Sequence, residues 1–368
     1  MASIKATFLL IYLLCFLLLA HGTHAFGIEA IYQFGDSLAD TGNLIRENPN
    51  GAHSNYARLP YGISFFHHPT GRCSDGLLMI DYFAKFFNLP LLDPYLKKDG
   101  NFIHGVNFAV AGATALDSST LAAKNISSSV TNNSLSVQLN WFESHLHSIC
   151  TSSADCKNML KKALFFMGEI GGNDVGHAIN HGKSVEFIQE MVPQIVRSIR
   201  SAVDKVIKMG AIRVVVPGNF PIGCISAYAA TFATEDPTMY DELGCLKRLN
   251  DIAKFYIDHL QQGIRELQKE HPHTVIIYGD YFHGLREVLR LAPMLGFDKY
   301  ATLTACCGAG DNKYNYNSSR RCGDKGTQVC PNPYVRVNWD GPHLTSHAYE
   351  QLAKFLLKDI IRGISQIP

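Results

Sequence analysis

Residues 31–43 read IYQFGDSLADTGN: an apolar, β-prone run that halts at Gly35-Asp36-Ser37 and then turns small and polar. A short apolar run bounded by turn residues is the pattern of a strand buried on both faces. The same pattern recurs in VNFAVAG (106–112), ALFFMGEIGGND (163–174), AIRVVVPGN (211–219) and TVIIYGDY (274–281). Between and after these runs, residues 135–147, 185–209, 247–269 and 346–364 place apolar side chains at helical spacing; Ile188, Met191, Ile195, Ile199, Val203 and Val206 are one such stripe. Strands alternating with helices imply right-handed crossovers and a sheet covered on both sides. The expected fold class is therefore α/β, a three-layer α/β/α sandwich around a central, mostly parallel five-stranded sheet.

The chain opens with Lys5, an apolar run over residues 6–20 and a small-residue end at Thr23-His24-Ala25. That is the form of a secretory signal peptide, cut near Ala25. The run is shorter than the roughly twenty residues that span a bilayer, so the expected product is exported, either extracellular or in an endomembrane lumen such as the vacuole, without stable membrane insertion. No composition shift or repeat marks a linker, and residues 26–368 are expected to form one domain. Net charge is +1, with charged residues at 18 % and apolar residues at 46 %. Such a balance gives no electrostatic case for binding nucleic acid.

Ten cysteines are present, of which Cys15 falls in the leader, so an odd number remains. Cys150 and Cys156 bracket a short loop, Cys224 and Cys245 a longer one, and Cys306, Cys307, Cys322 and Cys330 crowd a Gly/Asn-rich segment. These spacings suggest disulfides rather than a metal site, with the connectivity of the last four left open and Cys73 as the candidate free thiol. Asn125, Asn132 and Asn317 begin N-glycosylation sequons, consistent with export.

Ligands of an open parallel sheet bind where strands end and loops begin. Asp36-Ser37 follows the first run, Gly112 the second and Gly171-Gly172-Asn173-Asp174 the third, while Asp340-Gly-Pro-His343 precedes the last helical stretch. Together they supply the parts of acyl transfer. Ser37 needs a base, and a histidine oriented by a carboxylate, His343 with Asp340, is the usual one. The backbone N–H groups of Ser37 and Gly112 and the side-chain amide of Asn173 form a candidate oxyanion hole. Each part also has an ordinary structural reading: Ser37 as an N-cap, Gly112 as a turn, Asn173 as the cap of a helix beginning near Ser184, DGPH as a surface turn. Their joint occurrence at successive strand ends favours chemistry.

In FGDSLADTGN, GVNFAVAGAT, GEIGGND and DGPHLT the sequence resembles the plant GDSL esterase/lipase family of SGNH hydrolases, and the likeness runs from about residue 31 to 364 with TGRCSDG, VPGNFPIGC and CCG as further shared segments. The resemblance implies a flavodoxin-like SGNH fold, Ser37 as nucleophile, His343 as base, and Ser37, Gly112 and Asn173 as oxyanion donors. It implies Asp340 as the orienter of His343, a role a backbone carbonyl also fills in this superfamily. LPYG, QLNWF and CPNPYVRVNWDGPHLT are most similar to the group of acetylajmalan and sinapine esterases, which act on esters of specialised plant metabolites.

Other scans fail. There is no G-x-S-x-G elbow, GHAINHGKS has the wrong spacing for a phosphate loop, and the histidines lack ligand spacing. The expectation is a monomeric ester hydrolase for a small-molecule ester, needing no cofactor and no metal. Residues 48–68, 115–133, 222–237 and 303–317 are the expected pocket walls, with Tyr61, Phe65, Phe66, Tyr228 and Phe232 as possible ring-stacking side chains or, equally, packing residues. Lipase, cell-wall polysaccharide esterase, acyltransferase and catalytically silent binding protein are the alternatives.

Overall fold

The computed structural model describes residues 26–47, 51–127, 130–310 and 312–366, and the leader expected at 1–25 lies outside the described residues. The central sheet has five strands, β1 (Ala30–Phe34), β2 (Gly105–Asn107), β3 (Ala163–Met167), β4 (Arg213–Pro217) and β5 (Val275–Gly279), in the order β2-β1-β3-β4-β5. Every neighbouring pair is parallel. Ten helices accompany it among the described residues: α1 (Met79–Phe86), α2 (Ser118–Ala122), α3 (Leu135–Ile149), α4 (Ser153–Leu160), α5 (Gly172–Asn180), α6 (Val185–Met209), α7 (Ser226–Thr231), α8 (Lys247–Glu270), α9 (Tyr281–Arg290) and α10 (Ser346–Ile364).

The strand sequences explain the layers. Side chains alternate across a strand, so a run that is apolar at every position demands cover on both faces. Ala30, Tyr32 and Phe34 of β1 enter one core and Ile31 the other; Ala163, Phe165 and Met167 of β3 divide from Leu164 and Phe166 in the same way. The first core is closed by the apolar stripes of α3, α6 and α8, the second by those of α1, α9 and α10. Each stripe buries side chains worth roughly 1.5–3 kcal/mol apiece relative to exposure.

The four helices read from periodicity stand within two residues of their expected limits. Ser184 does cap one of them: its side chain accepts the Phe187 N–H at the start of α6, and Gly210, at φ +130°, follows its end. Asn173 is not the cap of that helix. It lies in the first turn of α5, a separate nine-residue helix whose Gly-rich start gave no helical signal. No helix of the described residues is long and apolar enough to cross a membrane.

Four disulfides form: Cys150–Cys156, Cys224–Cys245, Cys306–Cys330 and Cys307–Cys322, with Cys73 free and buried. The last two are nested. They pack with Tyr61 and Trp339 into a small third apolar cluster that includes β6 (Cys307–Gly308), which pairs antiparallel with β7 (Gln328–Val329). This cluster sits directly under the Asp340–His343 turn, since the Cys307 N–H donates to the Trp339 carbonyl at 2.6 Å and the Trp339 N–H donates to the His343 carbonyl at 2.8 Å.

Candidate active site

β1 hands the chain to the GDS turn through Gly35, whose φ is +139°. A Cβ there would lie 2.7 Å from the Glu169 carbonyl oxygen, so this crossing of the first and third strand ends admits only glycine. Gln138 of α3 clamps the same residue: the Gly35 N–H donates to Gln138 Oε1 at 2.9 Å, and Gln138 Nε2 donates back to the Gly35 carbonyl at 2.8 Å. Ser37 follows, half-buried. Its hydroxyl and its N–H, like the N–H of Gly112, make no hydrogen bond among the described residues. Gly112 holds φ +85°.

Buried aspartates tie the strand ends together. Asp40 accepts the N–H groups of Gly42, Asn43 and Leu44 in its own loop and, at 2.8 Å, that of Ala111 in the second motif. Asp174 accepts those of Ala115 and Leu116 at 2.8 and 2.9 Å, joining the third motif to the second. Asn173 completes the convergence, because its Nδ2 donates both to Asp36 Oδ2 at 2.8 Å and to the Ala113 carbonyl at 3.0 Å. Three motifs far apart in sequence meet at one amide, beside the positive end of α5.

Asp340 and His343 form the fourth part. His343 Nδ1 lies 2.8 Å from Asp340 Oδ2 and 3.0 Å from Oδ1, and Asp340 Oδ1 also accepts the His343 backbone N–H at 2.9 Å. The carboxylate orients the ring and the main chain of its own turn, and both side chains are almost fully buried. Tyr61 adds a third donor, its hydroxyl bonding Asp340 Oδ2 at 2.7 Å, while Tyr56 sets its ring at right angles to the imidazole, 5.7 Å between centroids. Nε2 has no partner among the described residues. The charge of His343 is a minor influence favouring the ionised form of Asp36, behind burial and the hydrogen bonds of that carboxyl.

The carboxyls at the centre titrate far from their ordinary range. Burial pushes Asp36 up to about 6, a rise that its bonds from the Leu38 N–H and from Glu169 only partly offset. Burial also raises Asp40, takes Asp174 to about 7 against the pull of its backbone bonds, and drives Glu169 well above the usual carboxyl value, with the Asp36 charge adding to it.

A cleft of roughly 670 Å³ opens beside Asp340, walled by Tyr56, Tyr61, Tyr316, Glu47, Arg321 and Val130 among others. Residues 48–68 and 115–133 contribute as expected; 303–317 contribute only Tyr316, 222–237 do not line it, and Arg321 and Cys322 come from outside every expected wall. Of the five aromatic candidates only Tyr61 faces this cleft. Thr131 Oγ1 donates to Glu47 at 2.6 Å across the rim, a tie between two loops that no local pattern announces. Asn125 and Asn132 are exposed, Asn132 on the cleft rim, and Asn317 is half-buried. Tyr56, Gln138 and Glu169 were missed by the sequence reading. Glu169 alone left a signal, as a charged residue inside an otherwise apolar and glycine strand end.

Comparison with known proteins gives the family. Residues 31–356 match the family model described as GDSL-like lipase/acylhydrolase. Acetylajmalan esterase 1 of Rauvolfia serpentina is 45 % identical over 91 % of this chain and 87 % of its own length. Acetylajmalan esterase 2 of the same plant is 43 % identical over 91 % of both chains, and a GDSL esterase/lipase of Arabidopsis thaliana is 45 % identical over 91 % of this chain and 83 % of its own.

Proposed function

We propose, because the chain belongs to the GDSL-like lipase/acylhydrolase family and is a carboxylic ester hydrolase, that it cleaves small-acyl esters of specialised plant metabolites, such as acetylated alkaloids or choline-type esters, through an acyl-enzyme on Ser37. The observation that carries this reading is the hydrogen bond by which Asp340 orients His343, 2.8 Å from Nδ1 to Oδ2, in a buried turn. His343 takes the Ser37 proton as the hydroxyl attacks the ester carbonyl. The N–H groups of Ser37 and Gly112 and the amide of Asn173 hold the oxyanion, each such donor being worth about 2.7–4 kcal/mol of barrier. His343 then protonates the departing alcohol, and water activated by the same nitrogen releases the acid. For Asn173 to serve, one of its two N–H bonds must yield, and the longer one, to the neutral Ala113 carbonyl, is the one to go.

The acetyl preference is supported by the names of the similar Rauvolfia proteins. In this reading the working protein is one exported domain from residue 26, monomeric, with glycans on Asn125, Asn132 and Asn317. The test is hydrolysis of p-nitrophenyl esters from acetate to palmitate by the protein and its Ser37→Ala variant. Serine-dependent activity that peaks at acetate supports the proposal. A peak at palmitate makes the protein a lipase, and full activity in Ser37→Ala removes Ser37 as the nucleophile.

A further inference from the structure

Glu169 is a charged residue with no part in the acyl transfer described above, yet it is 3 % exposed at the end of β3 beside the reacting groups. Its Oε1 accepts the Gly172 N–H at 3.1 Å, next to Asn173, whose amide bonds the Asp36 carboxyl, and its carbonyl accepts the Asp36 N–H at 3.2 Å, so the two carboxyls meet in one buried spot with a hydrogen bond between them. Asp36, 4 % exposed, spends its other bonds on the Leu38 N–H and on Asn173 Nδ2. No lysine or arginine pairs with either carboxyl among the described residues. The other ionisable neighbours are Asp40 and Asp174, two further acids, His343, the Cys73 thiol, and the hydroxyls of Tyr228, Tyr256, Tyr281 and Tyr349.

Two carboxyls in hydrogen-bond contact cannot both be ionised without a cation, since like charges at that range force one to keep a proton. A hydrogen bond between them also requires a hydrogen, which only a protonated carboxyl supplies. We propose that Glu169 and Asp36 share a single proton, with Glu169 as donor, and that this acid pair is a positioning device that fixes the Asn173 amide where the oxyanion forms. The pair has two consequences. It leaves Asp36 with one negative charge, enough to anchor Asn173 Nδ2 while the Ala113 bond yields. It also keeps a second negative charge away from the place where the substrate oxygen becomes anionic. The high proton affinity that burial gives Glu169 agrees with this assignment. Glu169 touches neither substrate nor Ser37 and is a positioning residue.

The inference rests on the Ser37 reading, and the experiment separates the two. Glu169→Gln keeps a hydrogen donor toward Asp36 but cannot ionise; Glu169→Ala removes the partner altogether. With p-nitrophenyl acetate at neutral pH, Glu169→Gln should lower kcat about threefold and Glu169→Ala at least thirtyfold, with KM little changed in both, as befits a group felt mainly in the transition state. Infrared difference spectra of the wild type against Glu169→Gln at the same pH should show the loss of one carboxylic-acid C=O band. Equal kcat losses in the two folded variants, or loss of carboxylate bands instead, overturn the proposal while Ser37-dependent hydrolysis stands. Activity that survives Ser37→Ala would overturn the underlying reading instead. Should Glu169→Ala fail to fold, the Gln variant's spectrum and kcat decide alone: a kcat loss above thirtyfold, or an unchanged acid band, is the negative result.

Discussion

Tyr61 and Asp340, 279 residues apart, are joined by a 2.7 Å hydrogen bond to Oδ2, the same oxygen that receives His343 Nδ1 at 2.8 Å. Burial first, and then the Asp340 charge, keep the Tyr61 hydroxyl protonated at any working pH, so it donates throughout. Tyr61→Phe removes that donor and leaves Asp340 a stronger partner for the imidazolium. The expected result is a loss of kcat of about three- to tenfold, with the acid limb of the pH–rate profile moved to higher pH. A profile that keeps its position while kcat falls would mean that Tyr61 only packs.

The nested bridges Cys306–Cys330 and Cys307–Cys322 fasten the platform beneath the Asp340–His343 turn, and the N–H groups of Cys306 and Cys307 donate to the carbonyls of Asn338 and Trp339, which lead into that turn. A bridge of this span contributes about 2–4 kcal/mol, chiefly by restricting the unfolded chain. In a reductant series, ester hydrolysis should fall at concentrations that leave far-ultraviolet circular dichroism unchanged. Parallel loss of both signals would show that the bridges serve global folding alone.

Asp174 titrates near 7 in the folded protein and near 4 when unfolded. The folded state therefore binds more protons between those values, and the stability this group gives is complete below about pH 4 and lost as pH rises through 7. Buried His145, pushed down to about 4, works in the opposite sense below pH 6.5, and the raised carboxyls of Asp36, Asp40 and Glu169 work in the same sense as Asp174, so total stability mixes all of them. Asp174→Asn isolates one of them. Its stability relative to the wild type should improve by roughly 1–4 kcal/mol between pH 5 and pH 8 in urea melts. A pH-independent difference would contradict the assignment.

Arg72 and Asp81 form a buried, two-pronged pair, Nε to Oδ2 at 2.8 Å and Nη2 to Oδ1 at 2.7 Å, with side chains 6 % and 0 % exposed. Asp81 Oδ2 also accepts the Leu78 N–H at the start of α1. Arg72→Met strands a buried carboxylate and should cost about 3–5 kcal/mol in chemical denaturation. A cost under 1 kcal/mol would mean that water reaches Asp81.

Much of this was legible because it is local. β1, β3, β4 and β5 announce themselves by apolar runs, and α6 and α10 by long apolar stripes, whose caps Ser184 and Thr345 the structure added. Ser37, Gly112, Asn173 and the Asp340–His343 pair stand out as polar or small residues at the ends of such runs. Short helices such as α1 and α5 were illegible, since eight or nine residues hold too few turns to fix a period and α5 begins with glycine.

The sequence alone determined the strands, the long helices, the pairing of the two isolated cysteine pairs and the residues on the functional edge, because each depends on neighbours within a few turns of chain. Only the tertiary structure decided which of Cys306, Cys307, Cys322 and Cys330 join, that Tyr61 reaches Asp340, and that Asn173 bridges Asp36 and Ala113. It alone set the Glu169 carboxyl against Asp36. Those relations link residues tens to hundreds of positions apart, and their strength comes from burial, which lowers the local dielectric and turns an ordinary carboxyl into one that holds its proton.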